Sequence, residues 1–339
     1  MKNQVSVALV GAGYWGGKLL PKFVRCPESV VRVVCDIHPA HRAELEQAYP
    51  DIPTTASFDA VLSDPGVAAV VLATPPATHF SLARGAIEAG KHLWVEKPLA
   101  LRVEEGAELV ELSRSKGTVL FVDHTFLYDP AIRKIRQLIE GGELGQIRHL
   151  YSQRLNLGRI KRDSNVWWNS APHDVSILLY LLPSAPAAIA LHGYRYLQPE
   201  LEDLSMAVVE MSDGVSAFIY HNWLFPENTA KLTLVGGKKM VVYEGKFEKR
   251  AITLYEYTID QDAGANGERP TTIPSRLTAE DSLSGLTDQE PLALAVADFL
   301  SAVLRSSPPL SDGVFSLKVL ETLAAGERSL QAGGAKIRI

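Results

Sequence analysis

The sequence predicts an α/β protein in two parts, a doubly wound parallel sheet followed by an α+β region with a large, mostly antiparallel open sheet. Three observations predict it. Apolar runs alternate with helical patterns through the first third of the chain. Two glycine-centred hairpin signals punctuate residues 205–243. The length, 339 residues, exceeds what one ordinary domain needs. The pattern changes near residue 125, which sets a first domain at 1–124 and a second at 125–339, with the last helices expected to pack back toward the first.

Residues 5–10 are a continuous apolar run ending at Gly11, as expected of a strand buried on both faces. A helix follows over 18–25, a second strand over 30–35 closed by Asp36, and a helix over 40–49. Residues 67–73 make a third buried strand, TPPATH follows, and a helix over 80–89 ends at Gly90 as a C-cap. HLWVEKP supplies another strand, 103–115 a helix and 119–122 a further strand. Strands spaced by helices mean βαβ units and a parallel sheet. Asp129 then caps a helix with Pro130 in its first turn, which runs to Glu140 and stops at Gly141 and Gly142. Strands at 205–211 and 215–223 flank Ser212-Asp213-Gly214, and strands at 231–235 and 239–243 flank Gly236-Gly237. Residues 261–284, with DAGANGERP, read as a surface loop. Helical patterns return over 290–305 and 314–331.

Composition narrows the function. A hydrophobic content of 46% with 22% charged residues is that of a globular chain. A net charge of -5 without a basic tract gives no reason to expect nucleic acid. MKNQVSVALVG has too short an apolar run for a leader and reads as a strand. No run approaches the roughly 18–20 apolar residues of a membrane span. Cys26 and Cys35 form no metal-type cluster and need no disulfide, so a reduced cytoplasmic setting is the default.

Gly11-Ala12-Gly13-Tyr14-Trp15-Gly16 fits GxGxxG between the first strand and its helix, and Asp36 stands 20 residues beyond Gly16. Gly11 permits the tight turn, Gly13 lets backbone approach a pyrophosphate, and Gly16 allows close helix packing. The helix N-terminus then holds the phosphates, with Tyr14 and Trp15 on the same turn. Asp36 accepts hydrogen bonds from an adenosine ribose and repels a 2'-phosphate, which favours NAD over NADP; His38 and Arg42 nearby soften that preference. Asp36, His38 and His41 have an arguable zinc spacing, but Asp36 has the better role at the ribose. Glu96-Lys97-Pro98 closes the fourth strand of the alternating series, on the edge of a parallel sheet where active sites lie. A lysine there can bond a substrate oxygen and stabilise charge during hydride transfer.

Together these residues resemble the Gfo/Idh/MocA oxidoreductases. The likeness covers nearly the whole chain, through GAGYWG, Asp36, 73-ATPPATH-79, 94-WVEKPLA-100, 121-FVDHTFLYDPA-131, 154-RLNLG-158, the Pro172-His173-Asp174 helix and 309-PLSDGVFSLKVLETL-323. The resemblance implies a Rossmann domain, a second domain whose open sheet mediates a homo-oligomer (dimer or tetramer), bound nicotinamide dinucleotide, and sugars, sugar nucleotides or cyclitols as substrates. It implies that Lys97 contacts substrate, that Glu96 and Pro98 line the nicotinamide pocket, and that Thr74, Pro75 and His79 lie near the cofactor.

Around the third motif, Ser170 reads as an N-cap and Pro172 suits a first turn. Val175, Leu178, Leu179 and Leu182 form the core stripe, and Asn169, His173, Ser176 and Tyr180 share the opposite face, toward the substrate. On that reading His173 sits at the positive end of the helix dipole, which keeps its ring neutral and fit to be a general base. The resemblance places the catalytic histidine here. It also places an aspartate four residues earlier, where this chain has Asn169, an amide that orients a hydroxyl but takes no proton. Asp174 is expected to cap the helix or hold a neighbouring side chain. Asp163 is a candidate replacement carboxylate. Asp123, where relatives often have glycine, is a second departure. Tyr128 and Trp168 are candidate substrate contacts. Arg154, Asn156, Arg159, Lys161 and Arg162 offer a basic cluster for an anionic substrate. The expected function is NAD-dependent oxidation or reduction of a sugar or sugar-nucleotide carbon. The alternatives are a cyclitol dehydrogenase and a non-catalytic dinucleotide-binding regulator.

Overall fold

The computed structural model describes residues 4–158, 160–162, 164–246, 249–257, 275–281 and 289–339. The chain forms two compact units, residues 1–128 with 289–324, and residues 129–288 with 325–339.

The first unit is built on six parallel strands, β1 (Val5–Val10), β2 (Ser29–Cys35), β3 (Thr54–Thr55), β4 (Ala69–Leu72), β5 (His92–Val95) and β6 (Leu120–Val122), in the order β3-β2-β1-β4-β5-β6. The helices α1 (Gly16–Arg25), α2 (Pro39–Ala48), α3 (Phe58–Ser63), α4 (His79–Glu88) and α5 (Val103–Lys116) join them. The strand order reverses between β1 and β4, the position where such sheets take ligands. All of β4 is buried, and Leu93, Trp94 and Val95 of β5 have no exposed surface, which explains their unbroken apolar runs. The sequence pattern does not reveal β3 or α3. Two threonines show no periodicity, and α3 is a six-residue helix set by one cap, the Ser57 hydroxyl accepting from Ala60 N–H.

The second unit opens with α6 (Pro130–Glu140), capped by the Asp129 carboxylate. It continues through β7 (Ile147–Leu157), α7 (Val166–Leu181), β8 (Pro186–Tyr194), β9 (Leu204–Met211), β10 (Ser216–Asn222), β11 (Leu224–Gly236), β12 (Lys239–Lys246), β13 (Lys249–Tyr257), β14 (Ser275–Asp281) and β15 (Ile337–Arg338). The nine strands run β14-β13-β12-β11-β7-β10-β9-β8-β15, and among the described pairs β7–β10 alone is parallel. The β9–β10 turn uses Gly214 at φ 88°. At the β11–β12 turn a Cβ on Gly236 would stand 2.2 Å from Leu144 O, so only glycine fits that approach. The stretch read as one loop over 261–284 holds β14, whose SRLTAED lacks an apolar alternation; the rest of that stretch lies outside the described residues.

Two helices follow, α8 (Pro291–Arg305) and α9 (Gly313–Gln331). Phe299 of α8 packs in the first unit, edge-on to Trp94 at 5.7 Å, while Trp94 stacks on Phe121 at 4.2 Å. The end of α9 and β15 belong to the second unit. Among the described residues no helix is long and apolar enough to cross a membrane.

Candidate active site

The loop after β1 has the shape its glycines predict. Gly11 has φ 90°, and a Cβ there would lie 2.8 Å from Ala73 O. A Cβ on Gly16 would lie 1.9 Å from Gly11 O, so α1 can start only with glycine. Over Gly13 there is open space within 4 Å, the room a close-approaching ligand needs. α1 begins with no side-chain cap and no acid in its first turn, so its N-terminal amides and dipole favour an anion. Tyr14 and Trp15 stand exposed beside it, with the Lys18 ammonium 4.5 Å and 5.3 Å from their ring centres.

Asp36 is buried at the end of β2, yet it stays ionised. Burial alone would raise its pKa, but the N–H groups of Ala12 at 2.7 Å and His38 at 2.8 Å, with the His41 ring at 3.1 Å, outweigh burial and hold it below the usual range. Arg42 donates to Asp36 O at 2.7 Å and fixes the turn. Two of the carboxylate's acceptor sites are filled by backbone, which leaves capacity for ribose hydroxyls. These residues fit a dinucleotide: glycines and helix end for pyrophosphate, Asp36 for ribose.

Thr74 and Pro75 follow β4 on the same edge of the sheet, and Thr78 Oγ1 lies 2.8 Å from Thr74 Oγ1. His79, expected among the cofactor neighbours, is fully buried instead. Its Nδ1 lies 2.7 Å from Pro98 O and its Nε2 2.9 Å from Thr74 O. Burial pushes its pKa down, so a neutral ring donates to one of these carbonyls at a time. His79 braces the β4 and β5 loops against each other.

Glu96, Lys97 and Pro98 leave β5 with a cis bond between Lys97 and Pro98. Lys97 is half-buried, while Glu96 and Pro98 are buried. The parallel ladder continues past the strand ends, since Asp123 N–H donates to Val95 O at 2.9 Å. That sets the Glu96 and Asp123 carboxyls side by side, both shut away from solvent and in mutual hydrogen-bonding contact. Asp123 also accepts from the Thr125 hydroxyl at 2.6 Å. Burial raises both pKa values, that of Asp123 to about 6 and that of Glu96 well above its usual range, with the Asp123 charge adding to the rise. His124, next along, is fully buried and pushed down to about 3 by burial and the Lys97 charge. No motif in the sequence joins Glu96 to Asp123; β5–β6 adjacency in a parallel sheet is the signal that joins them.

In the second unit α7 starts earlier than its proline suggests. Asn165 is the cap, its side chain accepting from Trp168 N–H at 3.0 Å, so the Ser170 cap is corrected and Pro172 lies inside the helix. A helix interior admits this proline by giving up one backbone hydrogen bond. His173 is therefore the eighth residue of α7, beyond the reach of the N-terminal dipole, and that explanation for a neutral ring falls. Of the predicted face, Asn169, His173 and Tyr180 are half-buried, while Ser176 is fully buried like Val175 and Leu178 of the core stripe. Leu179 is half-buried, at the edge of the stripe.

Asp174 pins the helix to the sheet. It accepts from Ser152 Oγ at 2.6 Å and Arg154 Nε at 2.7 Å on β7, and lies 2.9 Å from His221 Nε2 on β10. Burial opposes its ionisation, but the Arg154 charge, His221 and Ser152 prevail and hold it at about 2. Arg154, expected to meet substrate, is thus bound to Asp174. Trp168 directs its indole N–H to Glu327 at 3.0 Å. Asn156 is half-buried near the end of β7, Lys161 and Arg162 are exposed, and Arg159 and Asp163 lie outside the described residues. Tyr128, the other proposed substrate contact, is fully buried in the first unit with its hydroxyl on Asp298 at 2.7 Å; it is a core tyrosine.

Family models agree with this architecture. Residues 5–124 match the oxidoreductase family with NAD-binding Rossmann fold, and residues 132–242 match the GFO/IDH/MocA C-terminal domain. The chain belongs to the Gfo/Idh/MocA oxidoreductases. It is similar to a UDP-N-acetylglucosamine 3-dehydrogenase of Acidithiobacillus ferrooxidans, 26% identical over 78% of each chain. It is 26% identical to a scyllo-inositol 2-dehydrogenase (NAD(+)) of Bacillus subtilis, over 57% of this chain and 60% of that one. The solved structure of GenD2 from gentamicin A biosynthesis, in complex with NAD, has the same fold with a TM-score of 0.83 at 23% identity, covering 99% of this chain and 97% of that one.

Proposed function

We propose that this Gfo/Idh/MocA oxidoreductase moves a hydride between NAD(H) and a ring carbon of a sugar or sugar nucleotide. The observation that carries the reading is the common edge of the first sheet. The glycine loop, Asp36, Thr74 and the Glu96-Lys97-Pro98 turn all follow the carboxyl ends of its parallel strands. Asp36, ionised at neutral pH, supports NAD over NADP. The nicotinamide, when bound, accepts or supplies the hydride. Lys97 donates a hydrogen bond to the reacting oxygen and stabilises the charge that develops there. His173 takes the hydroxyl proton in oxidation and returns it in reduction. The Asn169 amide orients a hydroxyl and leaves proton transfer to His173.

A cyclitol is the second reading, and one observation favours it. Arg154 is held by Asp174, so the basic cluster that pointed to an anionic substrate is weaker by its best-placed member. A screen of sugars, sugar nucleotides and inositols for NAD-linked absorbance change tests both readings. Lys97→Ala and His173→Asn should each lower kcat/KM by about 10²–10⁴-fold on the substrate found. Undiminished turnover in either variant removes that residue from the mechanism. If no substrate is turned over while NADH still binds, the regulator reading takes over.

A further inference from the structure

The buried acids beside Lys97 have no part in the mechanism above. We propose that Glu96 and Asp123 hold one proton between them and present a single negative charge to Lys97, which makes Asp123 a positioning residue for the lysine. This rests on Lys97 being the polarising group.

The geometry leads there directly. β5 and β6 run in register through Val95 and Val122, so the next residues, Glu96 and Asp123, are neighbours. Relative exposure is 7% for Glu96 and 2% for Asp123, too little for water to screen two charges. Adjacent buried carboxyls do not both ionise; they titrate as a pair that keeps one proton. The proton belongs on Glu96. The Thr125 hydroxyl donates to Asp123 and favours its charged form, while Glu96 Oε1 is buried without a donor among the described residues. A protonated Glu96 then donates to Asp123. The Lys97 charge acts on both carboxyls and favours a negative charge on the pair.

The other groups that face the pair add no charge. His124 is buried and neutral. His79 is buried against two carbonyls. Tyr128 is un-ionised and donates a hydrogen bond to Asp298, which also accepts from Leu310 N–H at 2.9 Å. Among the described residues, the charge that acts on both carboxyls is the Lys97 ammonium. Below pH 6, where Asp123 takes up its proton, the pair no longer presents a negative charge to Lys97.

The test uses the full chain labelled with [γ-13C]aspartate, the Asp123 signal being the one absent from both Asp123→Asn and Asp123→Glu. In the parent protein it should titrate near pH 6, and in Lys97→Met its proton affinity should rise by about tenfold, because an opposite charge has gone. A midpoint in the ordinary carboxylate range, or one that Lys97→Met leaves in place, overturns the proposal. In turnover, Asp123→Asn should displace the acid limb of the kcat–pH profile at little change in KM, and Asp123→Glu should restore it. A limb that stays where it was also overturns the proposal. Correct NMR midpoints in a chain that turns over no substrate would leave the carboxyl pair standing and refute only the oxidoreductase reading.

Discussion

Both carboxylate oxygens of Asp36 carry hydrogen bonds from its own unit, so the residue shapes the ribose end of the dinucleotide site as well as charging it. Asp36→Asn should lift the repulsion of a 2'-phosphate and narrow the NADH-over-NADPH ratio of Kd values by about tenfold, or about 1.4 kcal/mol. Fluorescence titration with both cofactors checks this, and an unchanged ratio would show that Asp36 does not set the preference. Three other buried residues make stability depend on pH, with opposite signs. Asp123 has its folded pKa raised from 3.8 to about 6. Its contribution is fully present below pH 3.8 and is lost as pH rises through about 6. Asp174, lowered to about 2, contributes above pH 3.8 and loses that contribution as pH falls through about 2. His124, lowered from 6.5 to about 3, contributes above pH 6.5 and loses that as pH falls. The difference in urea-unfolding free energy between the parent and Asp123→Asn isolates the first of these. The parent should lose ground to the variant between pH 4 and pH 7, and a flat difference would mean that Asp123 titrates normally.

At the scale of the element, α7 shows what fixes a functional face. A helix of mostly apolar residues can rotate about its axis with little change in burial; one buried carboxylate with partners on two strands stops that rotation. Asp174→Ala leaves Arg154 and His221 without their acceptor and should destabilise the protein by about 3–5 kcal/mol, measured by chemical unfolding. A loss below about 1 kcal/mol would mean that apolar packing alone orients α7. The same element shows where sequence reading succeeds and where it fails. Val175 and Leu178 declare the core stripe through their spacing, and Asp129 and Pro130 declare the start of α6. Glycines with special geometry were legible too, because Gly11 and Gly16 have no substitute. The true start of α7 was not. Pro172 fits a first turn so well that it masks Asn165, seven positions upstream, and no local rule reveals that the helix tolerates a proline inside. The partners of Asp174 and of Glu96 were hidden for another reason. Each lies on a different strand, and only the sheet order brings them together.

On the scale of the whole molecule, the chain passes between its two units three times, at residues 128/129, 288/289 and 324/325. The second unit closes with β15 on β8, so the last residues of the chain complete a sheet begun near residue 147. One side of that sheet is covered. Ser205, Ala207, Val209 and Met211 of β9 are buried in strict alternation, as are Ala217 and Ile219 of β10. Its other side carries an exposed apolar patch: Phe218 pairs with Val208 across the ladder, Met206 is the next residue on that face, and the three are 40%, 37% and 54% exposed. A contiguous apolar surface of this kind favours association, and a self-complementary sheet face suits a two-fold assembly. Sedimentation of the parent protein should therefore show a homo-oligomer. Phe218→Lys and Val208→Lys place charges on the open face and touch nothing in the covered one, so they should shift the protein toward monomer without lowering the thermal stability of the isolated chain. A parent protein that sediments as a monomer at micromolar concentration would exclude the assembly. An oligomer unmoved by both lysines would move its interface to another surface of the chain.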